Sequence, residues 1–436
     1  MKKLLALALA LLLAFGVTSS LAEGFGEKDP ASYDCTLTFM VQTTAQPEYM
    51  ISHFNEVYPN IKIELVQVPA ADLQQKIVNM VMTGEDVTDL FACRTQFVKA
   101  IVDGGDRYYM DLYSMGDTQD WVGQIEDYVV NVGTDASGAL RSLAWQCPVG
   151  GVYYRRSMAR EYFGTDDPAE IGKLFASADE ILNTAATLKE KSEGKVKLFG
   201  DATQDIQYLF LTNAGGFLKD DVLNTGDGIR QIFELTKAFY DNDYCLKIRN
   251  DATALNAAIL DGSVFAYCLP TWGLNYSIMP NFPDQAGDWA VTEGPYPFVG
   301  GGSWFGISSK TEHPEECYLF IKYVLTDPEF QVSYASNFGD FTSTKTTHAT
   351  VAAYNEEEAA VFAPFQFLGG QNAYAYWKSQ LDKGVNSDAF SPYDEYFTNY
   401  LMSAIASYAT GVQTLDEAIE TFKSDCQDYA PEIMVD

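Results

Sequence analysis

Histidine is almost missing from this chain, with three in 436 residues, and His53, His313 and His348 form neither an HExxH run nor another paired ligand spacing. No metal ligand set is therefore expected of them. No GxSxG is present. Gly300-Gly301-Gly302 is followed by Ser303-Trp304, so it lacks the Lys-Ser/Thr of a phosphate loop and the third glycine of a dinucleotide turn. Neither a cofactor nor a catalytic residue is expected. Basic side chains are also few, 28 against 60 acidic ones, a net charge of −32. Such a field repels nucleic acid and anionic head groups, favours a neutral or cationic ligand, and keeps copies apart as monomers. CxxC pairs are absent too. Seven cysteines leave at least one outside any intramolecular bridge. Cys35, Cys93, Cys268 and Cys317 lie in apolar patterns and read as small buried hydrophobes.

Long apolar runs are lacking except at the start. Lys2-Lys3, the run from Leu4 to Phe15 and the small residues Ser20-Leu21-Ala22 form a signal peptide over 1–22, which places the mature chain outside the cytoplasm, in a periplasm or at the cell surface. The first cysteine, Cys35, follows Ser32-Tyr33-Asp34 rather than a lipobox, so lipid anchoring is not expected. An uncleaved signal would act as a tether instead.

The rest of the chain alternates strand and helix signals. Leu37 to Val41, Ile61 to Val68 and Asp89 to Cys93 read as strands, with helices at Glu48 to Val57 and Asp72 to Met82 between them. This βαβαβ order predicts a parallel sheet with right-handed crossovers. A second series has strands at Gly151 to Arg155, Val196 to Gly200 and Val264 to Leu269. Its helices include one after Ser177, with Glu180 in capping-box spacing, and Gly228 to Tyr240. The tail ends on a helix that opens with a second capping box, Thr414 and Glu417. After Pro314, Cys317, Phe320, Ile321, Val324 and Leu325 form a core-facing helical stripe that Asp327-Pro328 stops.

Five segments in order resemble the extracellular solute-binding proteins of carbohydrate ABC importers, the maltose-binding-protein-like family. They are Asp86 to Ala92, Trp145 to Arg155, Leu209 to Phe217 with its Asn213-Ala214-Gly215-Gly216 turn, Asp261 to Trp272, and Gly301 through Glu329. The resemblance implies a two-lobe, periplasmic-binding-protein-like α/β fold (type II), each lobe a mainly parallel sheet flanked by helices. The first lobe would hold 23–147 plus 303–326 and the second 152–299 plus 330–436. A hinge would join them, with Gly150-Gly151 and Gly300-Gly301-Gly302 absorbing the dihedral change. It also implies a sugar ligand and ABC permease subunits as partners.

A sugar ring needs a flat aromatic on its C–H face and donor–acceptor side chains at its edge. Trp272, between Pro270 and Gly273 at a strand end, suits the first need; a core Trp covering the sheet is the alternative. Ligands sit outside the carboxyl ends of strands in open α/β sheets, which nominates Thr44 and Gln46 after the first strand, Arg94 and Gln96 after the third, and Asp205 and Tyr208 after Val196 to Gly200. Trp145 and Trp304 flank the crossovers and either floor the cleft or pack the hinge. The resemblance also implies a further second-lobe ring, from Tyr374, Tyr376 and Trp377 or from Tyr393, Tyr396 and Phe397. Two other readings stay open: a secreted glycan-processing enzyme, because 60 carboxylates guarantee chance pairs, and a receptor for a polyamine or peptide.

Overall fold

The computed structural model describes residues 25, 28–219, 221–248 and 253–435, so the leader expected at 1–22 lies outside the described residues. Among those described, no helix is long and apolar enough to cross a membrane. The chain divides into two compact units. The first takes residues up to Trp145, then Ser303–Tyr334 and Ser343–Thr346; the second takes Gln146–Gly302, Ala335–Thr342 and the chain from Thr347 onward.

The first unit begins with β1 (Cys35–Val41), β2 (Ile61–Gln67), β3 (Leu90–Arg94) and β4 (Leu143–Ala144). β1 buries Leu37, Phe39, Met40 and Val41, as suits a strand with neighbours on both sides. β2 turns Lys62 and Glu64 outward, the alternation of an edge strand. β1 pairs in parallel with both β2 and β3, linked by the helices Ala45–Val57 and Ala70–Thr83, so the predicted βαβαβ path is present. The second of these helices buries Leu73, Ile77 and Met80 at spacings of four and three. It stops at Gly84, whose φ of +70° lets its N–H reach the Met80 carbonyl.

The second unit contributes β5 (Gly150–Arg155), the short hairpin β6 (Leu218–Lys219) and β7 (Val222–Leu223), then β8 (Ala266–Pro270) and β9 (Trp289–Thr292). A mainly parallel sheet is the expectation here, and the named strands depart from it: β5 lies between β8 and β9, antiparallel to each. The parallel contacts are carried by Val196 to Gly200, which is not a continuous strand but joins Val264 and Cys245 through isolated bridges at Lys197 and Phe199. Asp201 explains why it stops. Its side chain accepts the Thr203 N–H at 3.0 Å and caps the helix Ala202–Phe210, turning the chain out of the ladder.

At Ser303 the chain re-enters the first unit as β10 (Ser303–Ile307), antiparallel to β3 on one side and β4 on the other, which completes the order β2-β1-β3-β10-β4. The helix Pro314–Thr326 then buries the predicted stripe, and Phe320 meets Phe39 and Phe54 edge-on at 5.9 and 5.3 Å. The first unit keeps the chain as far as Tyr334. Phe330 contributes to this: its ring packs on Tyr323 at 5.3 Å and Tyr49 at 6.2 Å, which ties the first turns of the helix Pro328–Phe338 to the first unit. The Thr414–Glu417 capping box is formed in both directions, whereas at Ser177 only the serine arm accepts, from the Glu180 N–H.

At the start of the helix Asp394–Ala409, the Asp394 carboxylate accepts from the Ser391 N–H at 3.1 Å and from its hydroxyl at 2.6 Å. Burial outweighs these bonds and pushes the carboxyl from 3.8 up to about 7. The folded chain then holds this proton more tightly than the unfolded chain. Its contribution to stability is complete below the unfolded value and is lost as pH rises through about 7. A rise of this size corresponds to about 4 kcal/mol at most. Urea unfolding between these pH values should show stability falling with pH in the wild type and a flatter dependence in Asp394→Asn; equal slopes would contradict the assignment.

Candidate functional site

In the first unit, the segments that leave β1 and β3 at their carboxyl ends and the segment that enters β10 come together at one end of the sheet, with Arg94 paired to Ser303. Thr44 is half-buried at the N-cap of the helix Ala45–Val57 and makes no side-chain cap bond, so its hydroxyl is not spent on the helix. Arg94 and Gln96 are half-buried on either side of Thr95. The Gln96 Oε1 is buried without a hydrogen-bond partner among the described residues, and so is the Gln42 Oε1 one residue past β1. Buried acceptors left in this state cost free energy until something donates to them.

The tryptophans of this unit are less exposed than a stacking surface needs. Trp304 is fully buried and donates its indole N–H to the Thr95 hydroxyl at 2.9 Å, which ties β10 to the loop that carries Arg94 and Gln96. It packs the fold and is not a sugar platform. Trp145 is 3% exposed and meets Phe305 edge-on at 5.2 Å, yet its Nε1 has no acceptor among the described residues. Gln46 is likewise buried on its helix.

In the second unit Trp272 is half-buried just beyond β8, and its indole N–H donates to the Gly300 carbonyl at 2.8 Å. The ring is fixed along one edge. A Cβ at Gly301, where φ is +72°, would come 2.8 Å from the Trp272 nitrogen, so only glycine lets the backbone approach this closely. Tyr208 stacks on Phe298 with centroids 5.4 Å apart, and burial raises its phenol above the ordinary range. Gly150 has a different reason from the hinge freedom expected of it: a Cβ there would lie 1.9 Å from the Phe298 ring. Asp205 is 1% exposed and accepts the Cys268 N–H at 3.0 Å, a bond that fastens the helix Ala202–Phe210 to β8. That burial removes it from the expected ligand set. The Val196 to Gly200 segment sends its following helix into the core, where a carboxylate meets backbone rather than solvent.

Residues that sequence reasoning missed stand near Trp272. The chain after Gly273 winds as a π turn, Leu274–Ile278, a local form that recurs at functional sites. It carries Asn275, whose Nδ2 is buried without an acceptor among the described residues, and the exposed Tyr276, whose phenol is raised by partial burial and then by the Asp340 carboxylate. Asp340 is buried, and the Gln146 amide, oriented nitrogen inward, donates to its Oδ1 at 3.1 Å. Spacings of three and four from Trp272 were a usable signal for Asn275 and Tyr276. Nothing in the sequence links them to Asp340. The other rings expected nearby are spent on packing: Tyr374 and Trp377 are fully buried, and the Tyr376 hydroxyl donates to the Thr292 and Gly150 carbonyls at 2.9 and 3.2 Å.

Residues 49–363 match the family of bacterial extracellular solute-binding proteins. Among solved structures, the sugar-binding protein MalE from Xanthomonas citri is 14% identical with a TM-score of 0.73, over 90% of this chain and 97% of that one. The galacto-N-biose-/lacto-N-biose I-binding protein of an ABC transporter from Bifidobacterium longum, in complex with lacto-N-biose, is 16% identical with a TM-score of 0.71, over 92% and 99%. The GacH receptor of Streptomyces glaucescens, solved without ligand and with acarbose, is 14% identical with a TM-score of 0.70, over 92% and 100%. A comparison with curated proteins gives no match.

Proposed function

Because this chain belongs to the bacterial extracellular solute-binding proteins, we propose that it is an extracytoplasmic receptor for a sugar or oligosaccharide, which it delivers to the permease of an ABC importer. The observation that supports a sugar most is Trp272: a half-buried indole held along one edge by the Gly300 carbonyl, next to the buried amide of Asn275 and the exposed phenol of Tyr276. An immobilised flat ring beside unspent donors matches a ligand with C–H faces and a hydroxyl rim. In the first unit Thr44, Arg94 and Gln96, with Gln42, offer hydroxyl partners, and Trp145 offers one more donor. The Tyr208 ring lies against Gly300, the residue whose carbonyl holds the Trp272 indole. The sugars in the names of the solved relatives point the same way.

The ligand acts as a hinge closer in this proposal. A solute that touched one unit alone would bind open and closed forms equally and shift nothing, so residues from both units take part. A thermal-shift panel of mono- and oligosaccharides tests the ligand class. A cognate sugar at 100 times its dissociation constant should stabilise the fold by about 2.7 kcal/mol. A flat response to sugars with a response to polyamines or peptides would overturn the reading, and release of cleaved oligosaccharide would point to an enzyme.

A further inference from the structure

We propose that the first unit carries a site for a zinc-type divalent ion, ligated by Cys35 at the start of β1 and by His313 and Glu316 at the first turn of the helix Pro314–Thr326. The ligand atoms of these three residues all lie within 4.8 Å of one another, and each residue is half-buried, so an ion can enter. His313 occupies the N-cap of that helix and Glu316 its third position, which brings Nδ1 to 4.0 Å from a carboxylate oxygen.

The donor chemistry selects the ion. One thiolate, one imidazole and one carboxylate, with a fourth position for water, form a set that zinc accepts, whereas magnesium and calcium prefer oxygen alone. A tetrahedron with bonds of about 2.0–2.3 Å has edges of roughly 3.3–3.8 Å, so closure needs a side-chain movement of about 1 Å. Neighbouring carboxylates are already spent. Asp89 accepts from Thr38 and Thr311, and Glu315 accepts from Lys28 and Tyr33. The side chains of Cys35 and Glu316, by contrast, make no hydrogen bond among the described residues. Bound metal would pin the first strand to this helix and stabilise the first unit.

Chelator-treated mature protein, titrated with zinc chloride and separately with magnesium chloride, tests the site by melting temperature and calorimetry. Zinc should raise the melting temperature and magnesium should not. In Cys35→Ser and His313→Ala the zinc affinity should fall by at least about 100-fold, more than the loss usual for a group behind the ligands. The His313 side chain is 40% exposed, so its removal leaves the fold intact if the cysteine variant does not. Cobalt(II) should give a thiolate charge-transfer band that is lost in Cys35→Ser and kept in Cys317→Ser. An unresponsive wild type, an undiminished zinc response in the variants, or a Cys35–Cys317 disulfide in the untreated protein would each overturn the proposal.

Discussion

Replacing Arg141 by methionine should lower the unfolding free energy of the first unit by about 3–5 kcal/mol, the cost usual for leaving one buried charge without its partner. The Arg141 side chain is 7% exposed, and its Nε donates to the equally buried Asp135 carboxylate at 2.7 Å. Its other donors reach Asp106 and the Tyr109 carbonyl. Burial pushes the Asp135 carboxyl up, but hydrogen bonds from Ser137, Arg141 and the Ala139 and Ser137 N–H groups outweigh it and bring the value from 3.8 down to about 2. The sign follows. Asp135 contributes stability that is present above its unfolded value and lost as pH falls through about 2. Urea unfolding of wild type and Arg141→Met at neutral pH measures the loss. A change below about 1 kcal/mol would mean that water already screens the pair as it screens surface bridges.

Trp272→Ala should weaken binding of the cognate sugar by about 2 kcal/mol or more, roughly 30-fold, as removal of a buried aromatic anchor commonly does. Fold stability should fall by less than the roughly 3–5 kcal/mol expected for a core tryptophan, because the side chain is only half-buried. Trp272→Phe separates the two roles: it keeps a stacking face and loses the bond to Gly300. Calorimetry on both variants decides. Unchanged sugar affinity with a large drop in melting temperature would make Trp272 a core residue.

Much of the first unit was legible because its signals are local. The stripes in the helices Ala70–Thr83 and Pro314–Thr326 and the apolar strands β1 and β3 follow from periodicity within a dozen residues. Strand direction in the second unit was not, since β5, β8 and β9 are far apart in the chain and their antiparallel register depends on partners that no local window contains. The same limit divides the candidate site. Trp272 was nominated from Pro270 and Gly273 beside it, and Arg94 and Gln96 from their place after β3. Asp205 misled because a carboxylate following a strand signal looks the same whether it faces solvent or, as here, the Cys268 amide. The Gln146–Asp340 contact joins residues brought together only by tertiary structure, and Cys35, expected in the core, proves half-exposed at the head of β1.

In the proposed function, hinge closure around a sugar is the step on which residue choice and delivery depend, and small-angle scattering of the mature protein with and without the cognate sugar tests it most directly. The expected result is a smaller radius of gyration at saturation, lost in Trp272→Ala at the same sugar concentration. Identical curves with and without sugar, while calorimetry shows the site filled, would contradict it.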